Sequence, residues 1–194
     1  MENGTRLDLI ANKAEGGNDP VMERKLMDAI KQSIQGRFLY GLGFEFDNYC
    51  TCFAFKDKNN IIFGRNSDFI VELEKLYMNC LYNLDNVYSF NGNTTAFVEM
   101  EDGINEYGLA IGLTFIYPTV INAGFNAGLL VRYLLEKCKT TNEAIETLKT
   151  LPIASQQTLT ISDYTGNIAV IECNAEDMEI LNTNKDGNFV IATN

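Results

Sequence analysis

The sequence predicts an α+β domain of antiparallel sheets with helices packed outside them. Three observations carry this. Strand-like runs come first, two helix-patterned segments follow, and strand-like runs return, with no regular strand–helix alternation. The stretch Cys50–Phe69 reads as a β-hairpin, two β-favouring runs around a short polar turn. Of the 194 residues, 46% are hydrophobic, enough for one domain with its own core.

Residues 1–19 are polar. Asp19-Pro20 reads as an N-cap followed by Pro at the first helical position. Met22, Leu26, Met27, Ile30 and Ile34 then recur at helical spacing, and Gly36 stops the pattern. Phe38–Phe46 is aromatic and glycine-rich, a strand or tightly packed segment. In the hairpin, Thr51–Phe55 and Ile61–Phe63 flank a turn over Lys56–Asn60, and Ile61–Phe63 leads into Gly64-Arg65-Asn66-Ser67-Asp68. A turn centred near Lys58 sets Cys50 opposite the Arg65/Asn66 region. It would gather a thiol, a guanidinium and a carboxylate, subject to a one-residue slip.

Leu76–Leu81 reads as a strand and Asn91-Gly92-Asn93 as a turn. Thr94–Met100 alternates as a strand. Glu101-Asp102-Gly103 and Asn105–Gly108 read as turns. Leu109–Phe115 reads as a buried strand in which Gly112 marks a close backbone approach. Phe125–Cys138 is the clearest helix, with Phe125, Leu129, Tyr133, Leu134 and Cys138 as its apolar stripe. Thr140–Glu143 matches a capping box for a second helix ending near Lys149. Strands over 158–162, 167–173, 179–183 and 189–193 complete the pattern, with a turn at Asp163–Gly166 and a loop at Asn184–Asn188. The chain stops at Asn194 directly after a strand-like run, which reads as a truncated domain.

The net charge of −11 and the absence of a basic cluster argue against nucleic-acid binding. Met1–Pro20 lacks the apolar core of a signal peptide, and no apolar run is long enough to cross a bilayer, so a cytoplasmic location is expected. Five cysteines without a secretion signal read as free thiols. Cys50-x-Cys52 has no second pair beside it, so no metal site and no cofactor are read. Glu99, Glu101, Asp102 and Glu106 read as a solvated acidic rim. Tyr77, Tyr82, Tyr88 and Phe90 suit either core packing or an acyl pocket.

There is no histidine. That excludes a Ser-His-Asp triad or a Cys-His dyad built from this chain alone. A thiol with an ordinary pKa of about 8.5 needs another base or a positive neighbour. An α-amino group titrates at about 7.7–8.0. A cut between Tyr49 and Cys50 would put such an amine on the residue that carries the thiol. Asp68 would hold the ammonium, and Arg65 would orient the thiolate. The competing reading makes Cys50 and Cys52 small buried hydrophobes in a strand, with Arg65 and Asp68 a surface pair.

The pattern C-T…F-G-R-N-x-D, then E-D-G-I-N-E-Y-G-L-A-I-G-L-T-F, then T-L-T-I-S-D-Y-T-G resembles the linear amide C–N hydrolases. These include the choloylglycine (conjugated bile acid) hydrolases and the isopenicillin N acyltransferases, in the N-terminal nucleophile (Ntn) superfamily. The resemblance runs from about Cys50 to Asn194. It implies a four-layer αββα sandwich, two antiparallel sheets between helical layers. It implies Cys50 as nucleophile, since Thr51 follows it as the family's threonine does, whereas Cys52 does not fit. It also implies Arg65 flanking the thiol, Asp68 binding the α-amine, and Asn194 donating to the oxyanion. Thr114 replaces an oxyanion-side asparagine of the bile acid hydrolases, which favours the acyltransferase-like branch and leaves Thr114 on the substrate side.

That branch implies that residues 1–49 are an autocatalytically removed pro-segment and 50–194 the N-terminal portion of the Ntn domain. A further catalytic arginine of the family lies in a region that this chain does not contain. The expected activity is hydrolysis or transfer at a linear amide C–N bond of a small-molecule substrate, with a homo-oligomer left open. The alternatives are a catalytically silent module binding an acyl ligand or protein partner, and a fragment with no function of its own.

Overall fold

The computed structural model describes residues 50–58, 60–68, 71–96, 98–116, 120–182 and 187–193. The elements expected over 20–46 lie outside the described residues, as does Asn194.

The chain enters on β1 (Cys50–Lys56), turns at Asp57–Asn60 and returns on β2 (Ile61–Ser67). A 3-10 helix (Val71–Leu76) precedes β3 (Met78–Tyr82), β4 (Phe90–Thr94), β5 (Asp102–Asn105) and β6 (Ala110–Thr114). Helices α1 (Ala127–Lys137) and α2 (Thr141–Leu148) follow. Strands β7 (Gln157–Ser162), β8 (Ile168–Cys173), β9 (Met178–Asn182) and β10 (Phe189–Thr193) complete the described chain.

These strands form two sheets. One has the order β10-β1-β2, the other runs β3 to β9 in sequence order, and every neighbouring pair is antiparallel. Successive strands of the large sheet need only short connections, except where α1 and α2 are inserted between β6 and β7. Alternation along β6, β7 and β8 divides the large sheet's two faces. Ile111, Leu113, Leu159, Ile161 and Ile171 meet Leu130, Val131, Leu134 and Leu135 of α1 in the main core. Each such side chain stabilises by about 1.5–3 kcal/mol over its exposed state. On the opposite face Ile168 and Val170 pack against Ala54, Val190 and Ala192 of the small sheet, with Phe63 beside them. The described layers are therefore helix, large sheet, small sheet, three of the four layers of an αββα sandwich.

Local signals explain the helix ends. The Asn126 side chain accepts from Leu129 N–H, capping α1. Thr140 Oγ1 accepts from Glu143 N–H, and the Glu143 carboxylate accepts from Lys139 N–H, a capping box displaced by one residue.

Five expectations are corrected. Asn91-Gly92-Asn93 is the middle of β4, not a turn. Gly92 faces Gly103 across the ladder, and a Cβ on it would lie 2.5 Å from Asp102 O, so glycine here permits close strand approach. Asp102-Gly103 opens β5 instead of turning, and none of the described residues of 95–100 is in the strand expected over 94–100; Thr94 is the last residue of β4. The buried stripe of α1 is Ala127, Leu130, Val131, Leu134, Leu135 and Cys138, so Leu129 and Tyr133 lie at its margin. Glu99 and Glu101 are buried, not a solvated rim.

Candidate active site

The hairpin pairs Cys50 with Ser67, Thr51 with Asn66, and Cys52 with Arg65. The expected pairing of Cys50 with the Arg65/Asn66 region is corrected by one residue. The turn closes through Asp57 N–H to Asn60 O, which moves its centre half a residue past Lys58. That slip decides the chemistry. Paired residues share a face, so Cys50, Cys52, Ser67 and Arg65 all point the same way, towards the large sheet. Arg65 is the diagonal neighbour of Cys50, within reach of a long side chain. The alternation of β1 agrees: Cys50, Cys52 and Ala54 are buried.

Arg65 is the hub. Its side chain is 3% exposed. Nε donates to Leu113 O at 2.7 Å, and Nη1 meets Asp102 Oδ2 at 3.1 Å and Glu101 Oε2 at 3.4 Å. Nη2 donates to Cys50 Sγ at 3.7 Å. A bend at Glu101 lets two successive carboxylates reach one guanidinium, where a regular strand would send them to opposite faces. Glu101 also accepts from Ser67 Oγ at 3.1 Å and from Thr95 Oγ1 at 3.1 Å. Asp102 Oδ1 accepts from Asn93 Nδ2 at 2.7 Å. Burial works against the Arg65 charge, but Glu101, the Cys50 sulfur and Asp102 outweigh it, so Arg65 is held above its ordinary pKa.

Gly112 of β6 makes room for this group. A Cβ there would lie 2.8 Å from Cys52 Sγ, 3.0 Å from Phe63 Cζ and 3.1 Å from Arg65 Cδ. Cys52 is fully buried. Desolvation pushes its thiol up to about 12, against the pull of Thr160 and Arg65, which leaves it neutral and unreactive. Of the two cysteines on this face, only Cys50 receives the Arg65 hydrogen bond.

Asp68 and Thr114 make other contacts. Asp68 follows β2 with an exposed side chain, and its carboxylate accepts from Asn66 Nδ2 at 2.9 Å. Among the described residues, Arg65 rather than Asp68 is joined to the sulfur. Thr114 ends β6, buried and paired with Thr158. Phe90 and Tyr82 stack at 4.8 Å against the helix-side core, so these two aromatics pack the interior. No group of three or more metal-ligating side chains occurs among the described residues. No helix among them is long and apolar enough to cross a membrane. Sequence reasoning missed Glu101, Asp102 and Ser67 as parts of the site. The signal for the first two was present in E-D-G-I-N-E-Y-G.

Two stacked antiparallel sheets, with helices on the outer face of the larger one, make the class an Ntn-hydrolase-like fold. Residues 55–194 match the family described as acyl-coenzyme A:6-aminopenicillanic acid acyl-transferase. The chain belongs to that family, within the linear amide C–N hydrolases. Among solved structures it resembles an N-acylethanolamine-hydrolyzing acid amidase ortholog of Caenorhabditis elegans. The TM-score is 0.58 and the identity 18%, over 75% of this chain and 70% of that one. It is also similar to a penicillin V acylase of Agrobacterium tumefaciens (TM-score 0.42, 17% identity, 69% of this chain and 40% of that one). A third is a conjugated bile acid hydrolase of Clostridium perfringens (TM-score 0.42, 18% identity, 75% and 45%). The chain spans less than half the length of the last two. No curated protein matches it.

Proposed function

We propose that this chain is a cysteine amidohydrolase or acyltransferase of the Ntn type, with Cys50 as nucleophile. The observation that carries the reading is the hydrogen bond from buried Arg65 Nη2 to Cys50 Sγ at 3.7 Å, in a chain without histidine. A guanidinium at hydrogen-bond range is a positive neighbour that orients the sulfur. The second requirement, a base, is met by autocleavage between Tyr49 and Cys50, which would release residues 1–49 and free an α-amine on Cys50.

The amine takes the Sγ proton as sulfur attacks the carbonyl of a linear amide. The C–N bond of the tetrahedral intermediate then breaks, and the ammonium returns its proton to the departing amine. Water hydrolyses the resulting thioester, or a second amine takes the acyl group. In this scheme Asp68 holds the α-ammonium, Asn194 donates to the oxyanion, and Thr114 lies on the substrate side. The substrate is a small-molecule amide. Amide hydrolysis, as stated for the worm ortholog, runs through this acyl-enzyme. With an acyl-coenzyme A donor, as in the family's description, the same acyl-enzyme would form by breaking the donor's thioester C–S bond with loss of the CoA thiol, before an amine takes the acyl group.

Intact-mass analysis of the purified full chain tests it. The expected result is a fragment beginning at Cys50, absent in Cys50→Ala, together with loss of amidase activity in that variant. A chain uncut at Tyr49 whose activity survives Cys50→Ala overturns the reading.

A further inference from the structure

The charges around the sulfur do not balance. Arg65 brings one positive charge, and Glu101 and Asp102 bring two negative ones, 3.4 and 3.1 Å from the same guanidinium nitrogen. Glu101 is 6% exposed, and its remaining partners, Ser67 and Thr95, are neutral hydroxyls. Asp102's further partner, Asn93, is a neutral amide. A cut before Cys50 would add one ammonium, but Asp68, at the end of β2 and two residues from Asn66, adds one more carboxylate. Counting Asp68 in both states, the sum is −2 without the cut and −1 with it, so the excess is negative in either case. The chain's net charge of −11 supplies no distant correction.

We infer that the Cys50 site selects by charge, accepting a neutral or cationic group beside the scissile amide and rejecting an anionic one, with Glu101 setting the preference. The inference rests on Cys50 being the reactive residue. Among the described residues, a carboxylate or sulfonate brought next to this net-negative cluster must displace solvent without gaining a free cation, because both acids already engage Arg65. An ammonium on the amine half meets the opposite balance. Glu101 is the stronger determinant of the two acids. Through Ser67, the cross-strand partner of Cys50, it is tied to the strand beside the sulfur.

The probe is a pair of methanethiosulfonates of similar size, one ending in trimethylammonium and one in sulfonate. Their rates at Cys50 are read by peptide mass in the native full chain and normalised to the same pair on free cysteine. The expected normalised preference for the cationic reagent is on the order of tenfold. Glu101→Gln lowers it several-fold, and Glu101→Asp, which keeps the charge, retains most of it. A merely structural role for Glu101 changes both rates together and leaves their ratio fixed. A ratio equal to that of free cysteine, a ratio unmoved by Glu101→Gln, or no reaction of Cys50 with either reagent overturns the inference. The ratio is read whether or not the bond after Tyr49 is cut, so its failure is distinct from failure of the cleavage scheme.

Discussion

Replacing Gly112 by alanine places a methyl group between the sheets at the site. The new carbon would lie 2.8 Å from Cys52 Sγ, 3.0 Å from Phe63 Cζ and 3.1 Å from Arg65 Cδ. Ordinary contact needs about 3.5–4.0 Å, so Cys52 Sγ must move by roughly half an ångström or more and Phe63 and Arg65 by a few tenths. β6 cannot retreat easily, because Gly112 is paired on one side with Asp102 and on the other with Thr160. Overpacking of this kind costs about 1–3 kcal/mol, and each kcal/mol lowers Tm by about 2–4 °C in a domain of this size. Cys52→Ala removes the nearest of the three obstacles and by itself costs about 1 kcal/mol for a small cavity. The double variant should therefore lose less than the two single losses together, by about 1 kcal/mol. Urea unfolding of the four proteins, followed by circular dichroism, measures that coupling. Losses that add to within 0.5 kcal/mol would show that the small sheet does not seat on Gly112, and the site geometry described here would be wrong.

Other outcomes follow from single residues. Asn105 donates to Leu135 O and Cys138 O at the end of α1 and accepts from the N–H groups of Tyr107 and Leu109. Asn105→Ala should cost about 3 kcal/mol in urea unfolding, at 0.5–1.5 kcal/mol per lost bond. Burial pushes the Asp163 carboxyl up, but hydrogen bonds from Thr165 and Thr141 outweigh it and hold it below its ordinary 3.8. A lowered native value stabilises fully above the unfolded value and is lost as pH falls through the native one. The Tm gap between wild type and Asp163→Asn should thus be open at pH 7 and close below about pH 4. Burial pushes Cys52 up to about 12 and Cys173 up to about 11. At pH 8 both should escape iodoacetamide in the native protein and react only after unfolding, as read by peptide mass.

The fold was legible where a pattern has one meaning. Capping at Thr140, the strands after α2 and the Gly166 turn each rest on local chemistry that nothing distant overrides. It was illegible where a residue type serves two purposes. Gly92 and Gly103 looked like turn formers, yet they face each other across a ladder whose strands would collide with side chains. Glu101 looked solvated because acids usually are. Its burial depends on Arg65, 36 residues away in sequence, which no periodicity reports. The helix stripe slipped for a related reason. Tyr133 is apolar enough to join it, but its ring pairs with Phe125 at the margin instead of entering the core.

The contact between Arg65 and the Cys50 sulfur was legible in kind before it was legible in geometry. A histidine-free chain with a cysteine at the head of a hairpin needs a cation near the sulfur, and Arg65 was the candidate on the returning strand. Whether it could serve turned on register. Pairing Cys50 with Asn66 would have sent the guanidinium to the outer face of the small sheet, whereas pairing with Ser67 sends it inward. Once inward, a lone buried guanidinium costs several kcal/mol, so the large sheet has to supply acids. It supplies two, from the bend that opens β5, together with the Leu113 carbonyl of β6. The cation that hydrogen-bonds the Cys50 sulfur is therefore also the pin that holds the hairpin to the large sheet. Arg65→Lys cannot satisfy both tasks, because an ammonium lacks the planar fork that reaches a carbonyl, two carboxylates and a thiol at once. It should lower stability and Cys50 reactivity together, whereas Glu101→Gln should change charge preference with the fold intact. Variants that failed to separate in this way would mean that the pin and the activator are different residues.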